Sequence, residues 1–153
     1  MTLLFFYVFL ALFFSFLCSL MEAVFLSIPY SYIFLVKKKN KKDGQLLHRL
    51  KTDVDKSLSA ILSLNTIAHT VGAAGAGAQA TALFGNKYVG VISAVLTLLI
   101  LIVSEIIPKS LGASYWRQLT KPVSVCLYYL ILIMFPFVWM SKYITVLISP
   151  KKS

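Results

Sequence analysis

Acidic side chains are scarce in this chain. Five of its 153 residues are Asp or Glu, against fifteen Lys and Arg. Charged residues make up 13% of the whole, where a soluble domain carries about 25%. Sulfur is equally sparse. The two cysteines, Cys18 and Cys126, lie apart in apolar stretches with no CxxC pairing, and they read as small buried hydrophobes. There is no HExxH, P-loop or GxGxxG motif, and no Ser-His-Asp order. No enzyme is expected, and nothing supplies nucleotide energy, so any transport would be passive or driven by a coupled ion.

What fills the chain instead is hydrophobic residues, 59% of it. They gather in four blocks: 2–36, which contains no Lys or Arg, then 58–84, 89–107 and 123–140. Crossing about 30 Å of hydrocarbon takes roughly 20 apolar residues. Backbone in lipid has no outside partner, so such blocks must be helical. The fold class expected is therefore all-α and integral to the membrane, as one small domain. The first block is too long for a secretory signal, lacks a basic leader and contains Glu22, so it reads as a retained span.

Charge sets the expected topology. Eight of the fifteen cations (Lys37, Lys38, Lys39, Lys41, Lys42, Arg49, Lys51 and Lys56) fall between the first two blocks. Such a loop stays cytoplasmic and sits well against anionic lipid; it is not read as a nucleic-acid site. The N-terminus is then outside, the short 85–88 connection outside, and the connection carrying Lys109, Arg117 and Lys121 inside. Spans are expected at about 3–28, 58–84 and 89–107. The fourth block contains Pro136 and is followed by Lys142, Lys151 and Lys152. It is expected as a bent helix, about 122–148, in the cytoplasmic interface; an ordinary fourth span is the competing reading. Within the basic loop, Leu46, Leu47, Leu50 and Val54 recur at helical spacing, with Gly44 expected to break the chain before them. The Gly72–Ala78 run suits a close helix contact, within one subunit or across a dimer.

Each expected span carries one polar stripe. The first has Ser15, Ser19 and Glu22. The second has Asn65, His69, Gly72, Ala76 and Gln79. The third has Ser93, Thr97, Ser104 and Glu105. Together they would form a pocket of hydroxyls, one amide and one or two carboxylates. An intramembrane carboxylate is either a functional group or a neutral, hydrogen-bonded tie between helices. Glu105 stands in Ser104-Glu105-Ile106-Ile107-Pro108-Lys109, where Pro108 has no N–H to give the carbonyl of Ser104 four residues back. Two oxygen donors at one depth suit a hard cation: Mg²⁺, Na⁺ or a proton rather than Zn²⁺ or Cu²⁺. His69, with no second His beside it, reads as a hydrogen-bonded packing residue.

Ser19-Leu20-Met21-Glu22, Leu64-Asn65, Ser104-Glu105-Ile106-Ile107-Pro108-Lys109 and Met134-Phe135-Pro136-Phe137-Val138-Trp139, in that order, resemble the motifs of the membrane domain of the CNNM/CorC magnesium transporters. The resemblance implies a homodimer with three spans per subunit and a bent juxtamembrane helix. It also implies a Mg²⁺ site with export coupled to Na⁺. The ligands it implies are Ser19, Asn65, Glu105 and nearby backbone carbonyls such as that of Ser104, with Ser27 as a further hydroxyl and Glu22 in reserve. Leu20, Leu64 and Ser104 stand where the family's motifs have Gly, and His69 where a second Asn is common. The cytoplasmic CBS domains into which the family normally continues are expected to be absent, with the chain either a piece of a longer protein or a stand-alone membrane domain. The alternative function is a non-transporting membrane anchor or Mg²⁺ sensor acting on a partner.

Overall fold

The computed structural model describes residues 2–149, which are helical almost throughout, with no strand among the described residues. In chain order the helices are α1 (Thr2–Ser27), α2 (Tyr30–Lys39), α3 (Lys41–Thr52) and α4 (Val54–Phe84). A 3-10 turn, Asn86–Tyr88, leads into α5 (Val89–Leu99), a π-helical segment (Ile100–Ile106) and α6 (Ile107–Ser114). Then come α7 (Trp116–Ile133) and α8 (Phe135–Ile148). Lys151 and Lys152, used above to orient the C-terminus, lie outside the described residues.

Local chemistry sets the breaks. Pro29 starts α2 from an extended backbone, and Asn40 caps α3, its side-chain oxygen accepting from the N–H groups of Lys42 and Asp43. Asp53 does the same for α4 through the N–H of Lys56. Gly85 ends α4 with φ +76°, a conformation that costs glycine little. Gly44 does not break the chain as expected. It lies inside α3, where α2 passes so close that an added Cβ would stand 2.5 Å from Lys37 Cα. Its role is to let the two helices touch.

Among the described residues two helices are each long and apolar enough to cross a membrane: α1 and the continuous helix Asn86–Ser114. By the same measure α4 does not pass, despite its 31 residues. Asn65, His69, Gln79 and a series of hydroxyls and glycines dilute its apolar content. The pair α7–α8 passes only as a single bent unit, with an 81° angle at the break. Pro136 sits in the first turn of α8, where its missing N–H is not needed.

α1 lies at the centre, packed along α4 on one side and along the π segment and α6 on another. Its contacts with α4 step in opposite directions along the two helices. Tyr7 meets Gly75, Ala11 meets Gly72, and Ser15 Oγ bonds His69 Nε2 at 2.5 Å. The two helices are therefore antiparallel. Against the third helix the steps run the same way: Ser104 Oγ donates to Leu12 O at 3.3 Å, and Gly112 abuts Leu20 O and Ala23. The small residues at 72, 75 and 112 set these close approaches.

The large buried side chains collect toward one end. Val24 and Phe25 of α1 and Ile28 just after it pack with Ile33, Leu47, Leu50, Ile61, Leu127 and Val138. The other half is held by small residues, while Val91, Val95, Leu98 and Leu99 of α5 are exposed. In a bilayer such residues need no protein cover, since lipid tails are as apolar as leucine. Within the buried end, Lys51 lays its ammonium 4.8 Å from the centre of the Phe25 ring. Burial lowers its pKa from the usual lysine range.

Candidate cation site

The α1–α4 ladder defines the site. One turn beyond the Ser15–His69 bond, Ser19 comes level with Asn65. Ser19 is buried, at 1% exposure. Asn65 is half-buried, but its Oδ1 is fully enclosed and has no hydrogen-bond donor. A buried amide oxygen without a partner costs about 1–3 kcal/mol and demands an explanation. Among the described residues it is the sole side-chain polar atom in that condition.

The third helix brings Ser104 and Glu105 to the same region. Ser104 is fully buried against Leu12, and Glu105 is half-buried. By the parallel register, which sets Ser104 against Leu12 and Gly112 against Leu20, Glu105 falls near the level of residue 13 of α1, about 9 Å along the axis from the Ser19–Asn65 rung. The backbone here is not α-helical. The N–H of Ile107 bonds back to Ile102 O, five residues away. Pro108, four residues after Ser104 and five after Val103, therefore withholds a donor from one or the other of two adjacent carbonyls, depending on the register in which the bond is counted. π segments inside α-helices occur frequently at functional sites.

The structure thus brings Ser19, Asn65, Ser104 and Glu105 within about two turns of α1. Ser27 is not among them. It is eight residues beyond Ser19, roughly 12 Å along the helix, and its hydroxyl donates to Ala23 O at 2.7 Å. Glu22 is half-buried, almost one turn past Ser19 on the side of Ser27. Ser93 and Thr97, expected on one face with Ser104, are exposed, and Thr97 bonds Ser93 O. The intervening π segment shifts the phase of the helix, separating them from Ser104. His69 is hydrogen-bonded to Ser15, as a packing residue should be.

No group of three or more His, Cys, Asp and Glu side chains gathers to hold a metal among the described residues. The donors on hand are neutral oxygens, with the half-buried carboxylates of Glu22 and Glu105 on either side of Ser19 along the axis, a set suited to hard cations. The π segment and the Ser15–His69 bond are the features that sequence reasoning missed. The i, i+4 stripes contained both partners of the bond, but not the register that joins them.

A family model, the cyclin M transmembrane N-terminal domain, matches residues 5–152. The chain belongs to the CNNM family. It is accordingly an integral membrane domain. It is 33% identical, over 138 residues, to UPF0053 protein sll1254 of Synechocystis sp., covering 90% of this chain and 40% of that protein. It is 27% identical over 108 residues to the UPF0053 inner membrane protein YfjD of Escherichia coli K12, covering 71% of this chain and 25% of that one. The chain therefore spans less than half the length of these CNNM relatives.

Proposed function

We propose that this CNNM domain carries a divalent cation, Mg²⁺, across the membrane as its substrate, with Na⁺ moving as counter-ion. The observation that carries this reading is the enclosed, unpartnered Oδ1 of Asn65. A dehydrated Mg²⁺ asks for oxygen donors at about 2.1 Å in near-octahedral array. Asn65 Oδ1, Ser19 Oγ and the carbonyl of Ser104 would supply neutral oxygens. The carboxylate of Glu105 would supply negative charge. Glu22 would serve the counter-ion or a neighbouring helix, and Ser27, its own proton already given to Ala23, could offer only lone pairs nearer the cytoplasm.

The wider arrangement proposed is a homodimer in the cytoplasmic membrane of a bacterium, with three spans per subunit. α4 would be the second span, its polar face turned to the site. The bent α7–α8 unit would lie along the cytoplasmic surface. The exposed apolar face of α5 supports burial against lipid or a second subunit. With Cys126 replaced, a cysteine at position 42 should label only from the cytoplasmic side, and one at position 87 only from outside. The reverse pattern would invert the topology.

Mg²⁺ flux into proteoliposomes, with and without a Na⁺ gradient, tests the transport itself. Binding without flux would favour a sensor or anchor instead. A sharper signature comes from Asn65→Leu, which keeps side-chain size and removes the orphaned oxygen. Without Mg²⁺ this variant is expected to be more stable than the parent by about 1–3 kcal/mol, and to gain nothing when Mg²⁺ is added. Thermal unfolding at two Mg²⁺ concentrations reads both effects. A variant still stabilised by Mg²⁺ to the parental degree removes Asn65 from the site.

A further inference from the structure

A cavity of about 740 Å³ opens between α3, the start of α4 and α7. It is distinct from the cation site. Lys37, Arg49 and Lys56 line one part of it, and Leu50, Tyr128 and Ile131 another. The three cations have no ion-pair partner among the described residues, whose carboxylate pairs are Lys121–Asp43 and Lys142–Asp53. The one carboxylate in the cavity wall, Asp53, faces Lys142 at 3.9 Å and accepts from the N–H of Lys56. Lys37 is held in place by the tight α2–α3 crossing at Gly44. Three unpaired cations around one cavity call for an anion from outside the chain.

We propose that this cavity binds the headgroup of an anionic phospholipid of the cytoplasmic leaflet. The phosphate would lie among Lys37, Arg49 and Lys56, and the acyl chains would leave over Tyr128 and Ile131. The mixed wall selects lipid over a soluble anion. A free phosphate gains nothing from an apolar side, whereas a lipid must place its headgroup and its first methylenes a few ångströms apart. A tyrosine at that boundary is where interfacial aromatics gather. The proposal rests on the basic loop lying at the cytoplasmic membrane surface, and it is independent of the Mg²⁺ reading.

The test uses the full chain in mild detergent without Mg²⁺, with phosphatidylglycerol titrated against thermal unfolding and native mass. Phosphatidylglycerol is expected to raise the melting temperature and to remain bound, while phosphatidylcholine and inorganic phosphate do neither. Lys37→Gln/Arg49→Gln/Lys56→Gln should need roughly 100-fold more lipid. Lys38→Gln/Lys41→Gln/Lys42→Gln, which changes three exposed cations outside the cavity wall, should behave as the parent. Leu132→Glu, at an exposed position on the rim, adds a negative charge with little risk to folding and should also weaken binding. An equal response to phosphatidylcholine or to phosphate overturns the proposal. So does an equal loss in the Lys38/Lys41/Lys42 variant, or parental binding by Leu132→Glu.

Discussion

Glu105→Gln abolishes the protection that Mg²⁺ gives against thermal unfolding, while fold and oligomeric mass stay as in the parent: this is the result expected if the carboxylate meets the ion. Gln preserves shape and removes charge, so the substitution isolates electrostatics. At 100 times its dissociation constant, a ligand stabilises by about 2.7 kcal/mol. For a chain of this size that is a rise of roughly 5–10 °C. The variant should lose the whole rise, since neutral oxygens alone do not repay dehydration of a divalent ion in a low-dielectric setting. Glu22→Gln should lose less, because Glu22 stands on the other side of Ser19 from Ser104 and from the carbonyls that Pro108 leaves without a donor. Parental stabilisation of Glu105→Gln by Mg²⁺ would leave Glu105 as a structural carboxyl.

Gly72→Leu is expected to weaken the fold severely. The Cβ alone would run into Ala11 Cβ, with Ala11 Cα at 3.1 Å and Tyr7 O at 3.3 Å. These last two are backbone atoms, which cannot swing aside as a flexible side chain can. α1 and α4 must separate, and the Ser15–His69 bond one turn away is lost with the contact. Overpacking of this kind costs typically 1–3 kcal/mol or more, or roughly 2–4 °C of melting temperature per kcal/mol. Gly77 is the built-in control, since nothing lies within 4 Å of a Cβ added there. Gly77→Leu should be near neutral. Equal melting temperatures for the two variants would mean that α1 and α4 do not cross at Gly72.

Much of this was open to sequence reasoning, and for identifiable reasons. Long apolar blocks can be nothing but membrane helices, because lipid leaves their backbones no alternative. The polar stripes Ser15-Ser19 and Asn65-His69 were visible because i, i+4 spacing puts their members on one face. Periodicity gives a face but not a register between helices. That register comes from Ala11 seating on Gly72 and Tyr7 on Gly75, packing among residues some sixty positions apart. The enclosure of Asn65 Oδ1 follows from that packing, so no local pattern could have revealed it. Gly44 misled because a glycine that ends a helix and one that admits a neighbouring helix look alike in sequence. α4 shows the opposite difficulty: the side chains that make it a candidate wall of the cation site also lower its apolar content below that of an ordinary span.

The π segment has a mechanical consequence. It carries one surplus residue in its hydrogen-bonded ring, and such a defect can migrate. When an N–H trades a partner five residues back for one four residues back, the surplus moves along the chain with no bond lost. The stretch it passes turns by about 100°. Migration needs an N–H at every step, and Pro108 has none. Pro108 therefore closes the C-terminal route, and any shift of the defect would have to run toward Ile100. Turning the segment that bears Ser104 and Glu105 would cost the bond from Ser104 Oγ to Leu12 O, while α6 would keep its seat on α1 at Gly112.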